Sequence, residues 1–376
     1  MHETGLRIQA CSSAADIRTF IQLPFQWYAG SRRWVPPLLM DEYAFHDAAK
    51  NPAFASATVQ HWIAWRGQQP VGRIMGIIHH AYNKSSGELL ARFYQLDAIE
   101  DASVVTALLT TVENWARANN MSGIMGPFGF SDKDPQGMQV EGFDWLPVIA
   151  TPTNPAYLPP MLEANGYTKK TDCVSYRIPI PPVMPPVYGR VTERLLRTHR
   201  FRLIECKQQR ELKPYILPVF RLVNETYGHL LGFVPMTETE MQKMAKQYLP
   251  VLDPHFVKLV LDANDKLIAF VVAMPDMSPG LQKARGKLFP LGFWHIWRAM
   301  KQTQQLNLLL GAVHPHCRGK GLDVLMGSAL MRAAANRGMK YMDSHLILES
   351  NTVMRAECEK INGELYKRFR IYQKQF

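Results

Sequence analysis

Apolar residues follow two different periods along this chain, and their alternation predicts strands mixed with helices. In the first half, short runs rich in β-branched and aromatic residues predict strands, whereas apolar residues spaced three and four apart predict helices. The predicted strands are residues 6–11, 58–65, 71–79, 89–96, 124–128 and 167–178, and the predicted helices are residues 14–27, 38–45, 102–118 and 154–165. This alternation indicates the α/β class.

The second half of the chain repeats this order of elements. Its predicted strands are residues 201–206, 256–262, 267–274, 306–313, 341–348 and 365–372, and its predicted helices are residues 212–227, 237–248, 291–302, 322–337 and 352–361. Near the end of each half, residues 154–166 and 351–363 share the same spacing from an Asn to a Gly. We infer an internal duplication, with a first unit at residues 1–178 and a second unit at residues 189–376.

Two irregular segments interrupt the periodic pattern. Residues 179–188 hold five prolines, which favour a stiff extended spacer between the halves. Residues 129–153 form a longer segment that is rich in Gly and Pro and contains Phe130, Phe143 and Trp145. Loops of this length in compact domains are usually functional or disordered, and the aromatic residues favour order. This segment is therefore either a lid or pocket wall, or an ordinary packing element.

The junction between the strand at 306–313 and the helix at 322–337 has the composition of an anion-binding loop. It contains Arg318, Gly319, Lys320 and Gly321, and we call residues 318–321 the anion cradle. Glycine allows the backbone to approach a phosphate closely, and the N–H groups of a helix N-terminus favour an anion. The nucleotide motif G-x-x-x-x-G-K-[ST] is absent. The alternative interpretation is a basic turn before a surface helix.

The residues around the anion cradle resemble motif A of the GNAT superfamily of acyl-CoA N-acyltransferases. The matching positions are Val313, Pro315, Arg318, Gly319, Gly321 and Leu322. The resemblance extends over residues 256–376 and, with the duplication, implies two tandem GNAT-like units, each a mixed central sheet flanked by helices. It also implies a coenzyme A thioester as acyl donor, with its pyrophosphate on the anion cradle, and it implies no metal.

Further site residues follow from this resemblance. In the family, a backbone N–H of the strand before the loop stabilises the oxyanion, which places Ala312 or Val313 at the thioester. Asn351 corresponds to an Asn near the pantetheine arm. The family has a Tyr general acid seven places later, where this chain has Cys358. We predict that Cys358 is the proton donor, or else a small buried residue, and that Glu349 is the general base, or else a surface carboxylate.

Three histidines lie in the same region of the sequence. His314 and His316 flank the anion cradle and are further candidates for the base, or they line solvent. His345 falls within the predicted strand at 341–348, and we predict that it is an ordinary strand residue.

The sequence departs from the family pattern in both units. Asp323 stands where the family usually has Gly or Ala, and its carboxylate would cap the helix or repel phosphate. In the first unit, Ile99, Glu100 and Asp101 occupy the positions that correspond to the anion cradle. We therefore predict that the first unit binds no coenzyme A, and that it supports the second unit or supplies the acceptor pocket.

Two classes of function follow from these residues. The first is an N-acyltransferase, with the N-acetyltransferases as family examples, that moves an acyl group from acyl-CoA or an acyl carrier protein to the amine of a small molecule. The second is a catalytically silent GNAT-like protein that binds acyl-CoA or acts as a scaffold. Nucleic-acid binding is not predicted, because the basic residues are not interleaved with aromatic residues on one element.

Composition and charge restrict the partners and the compartment. The net charge of +11 suits an anionic partner, and acyl carrier proteins are strongly acidic. The five cysteines form no C-x-x-C pair, which indicates reduced thiols and no zinc site. The sequence shows no signal-peptide pattern and no apolar run that could span a bilayer. These features predict a cytoplasmic protein.

Overall fold

The computed structural model describes residues 5–149 and 151–376. Within these residues, the strands are β1 Leu6–Ala10, β2 Ala57–Arg66, β3 Gln69–His79, β4 Leu90–Ala98, β5 Gly123–Gly126, β6 Met138–Glu141, β7 Thr168–Pro179, β8 Phe201–Glu205, β9 Val257–Asp262, β10 Leu267–Pro275, β11 Gln305–Val313, β12 Tyr341–Asp343, β13 Ile347–Leu348 and β14 Glu364–Gln375. The helices are α1 Ala14–Trp27, α2 Leu39–Phe45, α3 His80–Ser86, α4 Ala102–Ala118, α5 Leu158–Ala164, α6 Pro186–Arg197, α7 Gln209–Leu212, α8 Ile216–Thr226, α9 Glu238–Tyr248, α10 Ser278–Ala284, α11 Gly292–Gln302, α12 Leu322–Asn336 and α13 Thr352–Lys360.

Helices α1 and α4 have the predicted bounds. Each begins after a residue whose side chain caps the first turn: Ser13 accepts a hydrogen bond from the N–H of Asp16, and Asp101 accepts one from the N–H of Ser103. Each helix also presents an apolar face to the sheet, which fixes its length through packing. Local capping and amphipathic spacing therefore suffice to place these two elements.

The described strands form one sheet that extends through both halves of the chain. Its order is β1-β2-β3-β4-β5-β14-β7-β12-β11-β10-β9-β8, and off this path β6 pairs with β14 and β13 pairs with β7. Most neighbours are antiparallel, whereas β4–β5 and β11–β12 are parallel. The predicted fold class, a mixed sheet flanked by helices in an α/β protein, is confirmed.

The two halves exchange their C-terminal strands. Strand β14, from the second half, pairs with β5 of the first half, with Tyr372 opposite Gly126. Strand β7, from the first half, pairs with β12 of the second half, with Tyr341 opposite Pro179. Strands β14 and β7 also pair with each other from Glu364 to Gln373. The sheet is therefore continuous across the predicted boundary at residues 179–188, and that division into units stays a prediction.

Several predicted segments differ from the structure. Helix α6 begins at Pro186, inside the predicted spacer, because proline suits the first turn of a helix. The predicted loop at 129–153 contains β6. The predicted strand at 341–348 is interrupted between β12 and β13, where His345 has a φ of +57°. This left-handed conformation breaks the ladder, so the prediction that His345 is an ordinary strand residue was wrong.

The central strands have an apolar face and a buried polar face. Leu306 of β11 and Met342 of β12 pack with Leu330 of α12 in one apolar core. Successive side chains on a strand point to opposite faces, so the neighbouring Asn307 and Asp343 point away from α12. Both side chains are nevertheless buried, with 1% of each residue exposed. A buried polar layer at the centre of a sheet needs hydrogen-bond partners, and these partners define the site below.

Candidate active site

Strands β11 and β12 separate after a short parallel contact, and this separation opens a cleft. They pair over three residues only, ending where Asn307 lies opposite Asp343. Strand β11 then continues to Val313, paired on its other side with β10. Beyond Asn307, the edge of β11 that faced β12 has no strand partner in the described part of the chain. Its backbone groups are therefore open to a ligand or to side chains.

Hydrogen bonds show which backbone groups of β11 face this cleft. The Gly311 N–H donates to the Tyr227 hydroxyl at 3.3 Å, and that hydroxyl donates to the Gly311 carbonyl at 2.9 Å. The N–H of His314 points the other way, to the carbonyl of Ile268 in β10. Because successive residues alternate, the N–H of Val313 faces the cleft and that of Ala312 faces β10. Val313 is therefore the better placed of the two predicted oxyanion donors.

The anion cradle forms the end of this cleft. Gly319 and Gly321 have φ values of +71° and +80°, a conformation that favours glycine. Helix α12 begins directly after Gly321 and has no side chain bonded to its first turn. Arg318 and Lys320 are exposed, and Nε of Arg318 lies 3.4 Å from the carbonyl oxygen of Val313. These features suit an anion, although the assignment of residues 318–321 to coenzyme A stays a prediction.

Two helices flank the anion cradle. A Cβ atom on Gly321 would lie 3.3 Å from Cδ1 of Leu195 in α6, so α6 packs directly beside the turn. Exposed Arg190, Arg194 and Arg197 belong to the same helix and add positive charge nearby. On the other flank, burial and then the charge of Asp323 raise the pKa of Glu357 in α13. Asp323 therefore faces another carboxylate, which places negative charge close to the cradle.

Two of the remaining predicted site residues, Asn351 and Glu349, have structural partners. The Asn351 side chain accepts a hydrogen bond from the N–H of Met354 and caps α13. The Glu349 carboxylate accepts from Nζ of Lys169 at 2.7 Å and from the N–H of Asp172 at 3.0 Å. Their roles in binding and catalysis stay predictions, because these contacts explain both residues without a ligand.

Titration does not favour Glu349 or Cys358 in the predicted roles. Burial acts to raise the pKa of Glu349, but the hydrogen bonds from Lys169 and Asp172 outweigh it and lower that pKa. A carboxylate with a lowered pKa is a weaker base. Cys358 is 2% exposed within the apolar core beneath α12, and burial raises its pKa to about 12. The alternative interpretation of Cys358, a small buried residue, agrees with this packing.

A buried polar cluster at the base of the cleft was not predicted from the sequence. Asn307 donates to Asp276 at 3.1 Å, and the Tyr366 hydroxyl and the His345 N–H both donate to the Asp343 carboxylate. Burial, and then the charge of Asp343, raise the pKa of Tyr366 far above its usual value. Carboxylates beside a neutral phenol and a histidine at the base of a cleft are typical of acid–base sites.

His345 has the arrangement expected of a general base. Nε2 of its ring is buried with no hydrogen-bond partner among the described residues. Burial lowers the pKa of the ring, which keeps the imidazole neutral at neutral pH. A neutral imidazole with its proton on Nδ1 presents a lone pair on Nε2. The interruption between β12 and β13 places this ring beside the point where β11 and β12 separate.

Residues 142–149 cover the polar cluster. The Lys367 side chain, 1% exposed, donates to the Leu146 carbonyl at 2.6 Å. The Trp145 ring packs edge-on against Tyr366 at 5.5 Å, and the Arg177 guanidinium lies over the same Trp145 ring at 4.8 Å. This segment belongs to the long loop at 129–153. Of the two interpretations of that loop, the contacts favour a pocket wall.

Side chains of the first half contact the corresponding positions of that half. Strands β4 and β5 also pair over three residues, from Leu90 opposite Gly123. Beyond them, the Tyr157 hydroxyl donates to the Ala98 carbonyl at 2.6 Å. Asp101 caps α4 and pairs with Arg66 at 2.7 Å, so a carboxylate occupies that helix N-terminus. That the first half binds no coenzyme A stays a prediction.

The described residues contain neither a candidate metal site nor a helix suited to span a membrane. No group of three or more His, Cys, Asp or Glu side chains in this part of the chain could hold a metal ion. No helix within residues 5–149 and 151–376 combines the length and apolar character needed to cross a membrane.

Comparison with known proteins identifies the fold. No protein-family model matches the chain. It is 29% identical to Protein YghO of Escherichia coli over 96% of its own length and 93% of that protein. It is 27% identical to the Bacterial ceramide synthase of Caulobacter vibrioides over 98% of its own length and 97% of that protein. A solved tandem GNAT protein from the clavulanic acid biosynthesis pathway superposes with a TM-score of 0.54 at 13% identity, covering 99% of this chain and 98% of the other. The chain therefore has the tandem GNAT fold.

Proposed function

We propose that this chain of tandem GNAT fold is an N-acyltransferase that moves an acyl group from a coenzyme A thioester to an amine. One observation carries the proposal. The open edge of β11 presents the Val313 N–H between the anion cradle and the buried polar cluster. A thioester whose phosphates bind the cradle would thus reach both an oxyanion donor and a base.

The acceptor we propose is an amphiphilic amine. A ceramide is the amide of a fatty acid and a long-chain amino alcohol, and one similar protein is named as a Bacterial ceramide synthase. The carboxylates of Asp276 and Asp343 at the base of the cleft would attract the ammonium form of such an acceptor. Product analysis identifies the amine and distinguishes acyl-CoA from an acyl carrier protein as the donor.

The chemical step needs a base, an oxyanion donor and an acid. His345 Nε2 takes a proton from the ammonium or from the attacking amine, whose nitrogen forms the new C–N bond with the thioester carbonyl. The Val313 N–H donates to the resulting oxyanion. The C–S bond then breaks, and the departing thiolate takes a proton. We assign that proton to Tyr227, whose hydroxyl lies on the cleft edge of β11.

Incubation with a mixture of acyl-CoAs and long-chain amino alcohols tests the function. Mass spectrometry should detect the N-acylated amine and free coenzyme A in equal amounts, because each amide formed releases one thiol. A parallel reaction with an acyl carrier protein thioester identifies the preferred donor. Retention of an acyl-CoA without any product would support the catalytically silent alternative.

Cys317 should become protected from alkylation when coenzyme A binds. This partly exposed thiol lies directly before Arg318, so a ligand on the anion cradle would cover it. Mass spectrometry of thiol labelling, with and without coenzyme A, measures the protection. Cys11 is the internal control, because it is also partly exposed and lies in the first half. Equal labelling of Cys317 in both conditions would contradict a ligand at the cradle.

A further inference from the structure

The segment around α11 exposes large apolar side chains on one surface. Phe289, Leu291, Phe293, Trp294 and Trp297 are 80%, 61%, 58%, 41% and 54% exposed. Side chains of this size are usually buried, and a group of them on one short segment marks an interaction site. The opposite face of α11 is fixed to the protein, because Ile296 and Met300 pack with the core residues Met274, Met277 and Leu281.

The same segment carries positive charge without negative charge. Residues 277–322 contain no Asp or Glu. Lys283, Arg285, Lys287, Arg298 and Lys301 are all exposed, and none makes an ion pair with a residue that the structure describes. We call these five basic residues and the five exposed apolar residues together the aromatic–basic surface. Its partner must therefore accept aromatic rings and provide negative charge.

We propose that the aromatic–basic surface docks on an anionic lipid bilayer. Helix α11 is short and amphipathic, with Trp and Phe on its outer face and basic residues at its margins. Helices of this composition lie in the interface of a membrane, where the rings enter the acyl region and the cations contact phosphate groups. Phe289 and Leu291 are the most exposed of the apolar residues and have no polar atoms in their side chains. They suit hydrocarbon better than the polar surface of an acidic protein.

The aromatic–basic surface is connected to the cleft through the apolar residues beneath α11. Ile296 and Met300, on the inner face of α11, pack in the same cluster as Leu309 of β11 and Ile149 of the loop over the polar cluster. The bilayer would thus lie on the far side of α11 from the cleft. This inference goes beyond the proposed function, since an amphiphilic substrate in the membrane would have a short path to the cleft.

Cosedimentation with vesicles tests the proposal without any turnover. The wild-type protein should bind vesicles of phosphatidylglycerol and phosphatidylcholine, and bind phosphatidylcholine alone much more weakly. Phe293→Ser with Trp297→Ser should weaken binding by roughly tenfold or more, because two aromatic rings would no longer be transferred from water into the bilayer. The matched control is Leu89→Ser with Val353→Ser, two side chains that are 57% and 70% exposed elsewhere. That control should bind as the wild type does.

A second pair of variants separates this surface from the overall positive charge. Lys287→Glu, Arg298→Glu and Lys301→Glu together should reduce binding more than the control with Lys84→Glu, Arg200→Glu and Lys207→Glu, which has the same net charge. Circular dichroism verifies that each variant is folded. The proposal is wrong if the wild type does not bind anionic vesicles, or if the serine variant binds them unchanged. Binding of an acyl carrier protein through these residues, without vesicle binding, would also overturn it.

Discussion

Arg318→Glu combined with Gly321→Val is expected to abolish coenzyme A binding, with a loss of affinity of at least about 100-fold. The first change replaces a cation with an anion beside the helix N-terminus. The second places a β-branched residue at a φ of +80° and directs its Cβ towards Leu195 of α6. The variant therefore lacks both the positive charge and the glycine turn that would favour a bound phosphate. Isothermal titration calorimetry with coenzyme A measures the loss.

Two further variants make this result specific. Arg318→Glu alone should retain the fold and still weaken binding by more than tenfold, which separates lost charge from a distorted turn. Glu100→Gln, an exposed change at the corresponding position of the first half, should leave binding unchanged. Full affinity in the double variant would show that coenzyme A binds elsewhere on the protein.

His345→Gln is expected to lower kcat by about 100- to 10,000-fold while donor affinity stays unchanged. Glutamine is similar in size but cannot take a proton, so the loss would fall on the chemical step. Burial lowers the pKa of His345, so the neutral imidazole persists below its usual value of about 6.5. The acid limb of the kcat–pH profile of the wild type should therefore lie below pH of about 6.5 and should disappear in the variant.

Companion variants distinguish a base from a structural residue. Tyr227→Phe should lower kcat without moving the acid limb, because it removes the proposed acid and leaves the base. His255→Gln changes an exposed histidine that is bonded to Asp253, and its kcat should equal that of the wild type. If His345→Gln keeps both the rate and the acid limb, the assignment of His345 as base is wrong.

Local signals in the sequence predicted most elements and the anion cradle. The Thr237–Glu240 capping box at α9 is one example, since both of its hydrogen bonds form within four residues. The anion cradle was also predicted from local sequence, because Arg318, Gly319 and Gly321 lie within four consecutive residues. Features that depend only on neighbouring residues in the chain can be predicted without knowledge of the rest of the fold.

The polar cluster could not be found in this way. Asp276, Asn307, Asp343 and Tyr366 come from four different strands or strand ends, and each alone looks like an ordinary polar residue. Glu349 was proposed as a base because it follows the predicted strand at 341–348, whereas its partner Lys169 is 180 positions away in the sequence. The apolar residues at 341–348 also predicted an unbroken strand. Strands β12 and β13 both pair with β7, a strand contributed by the other half, and the interruption at His345 lies between these two pairings.

Because the C-terminal strands are exchanged, the sheet can be completed only late in synthesis on the ribosome. Strands β5 and β7 are made early, but the position between them is filled only when β14 has emerged. Until then, both have open edges that can pair with another nascent chain. Strand β7 in turn borders β12, so a fragment that starts after Pro179 would leave β12 without that neighbour. Neither half can complete its sheet alone, and a chaperone that shields β5 and β7 during synthesis would favour the correct pairing.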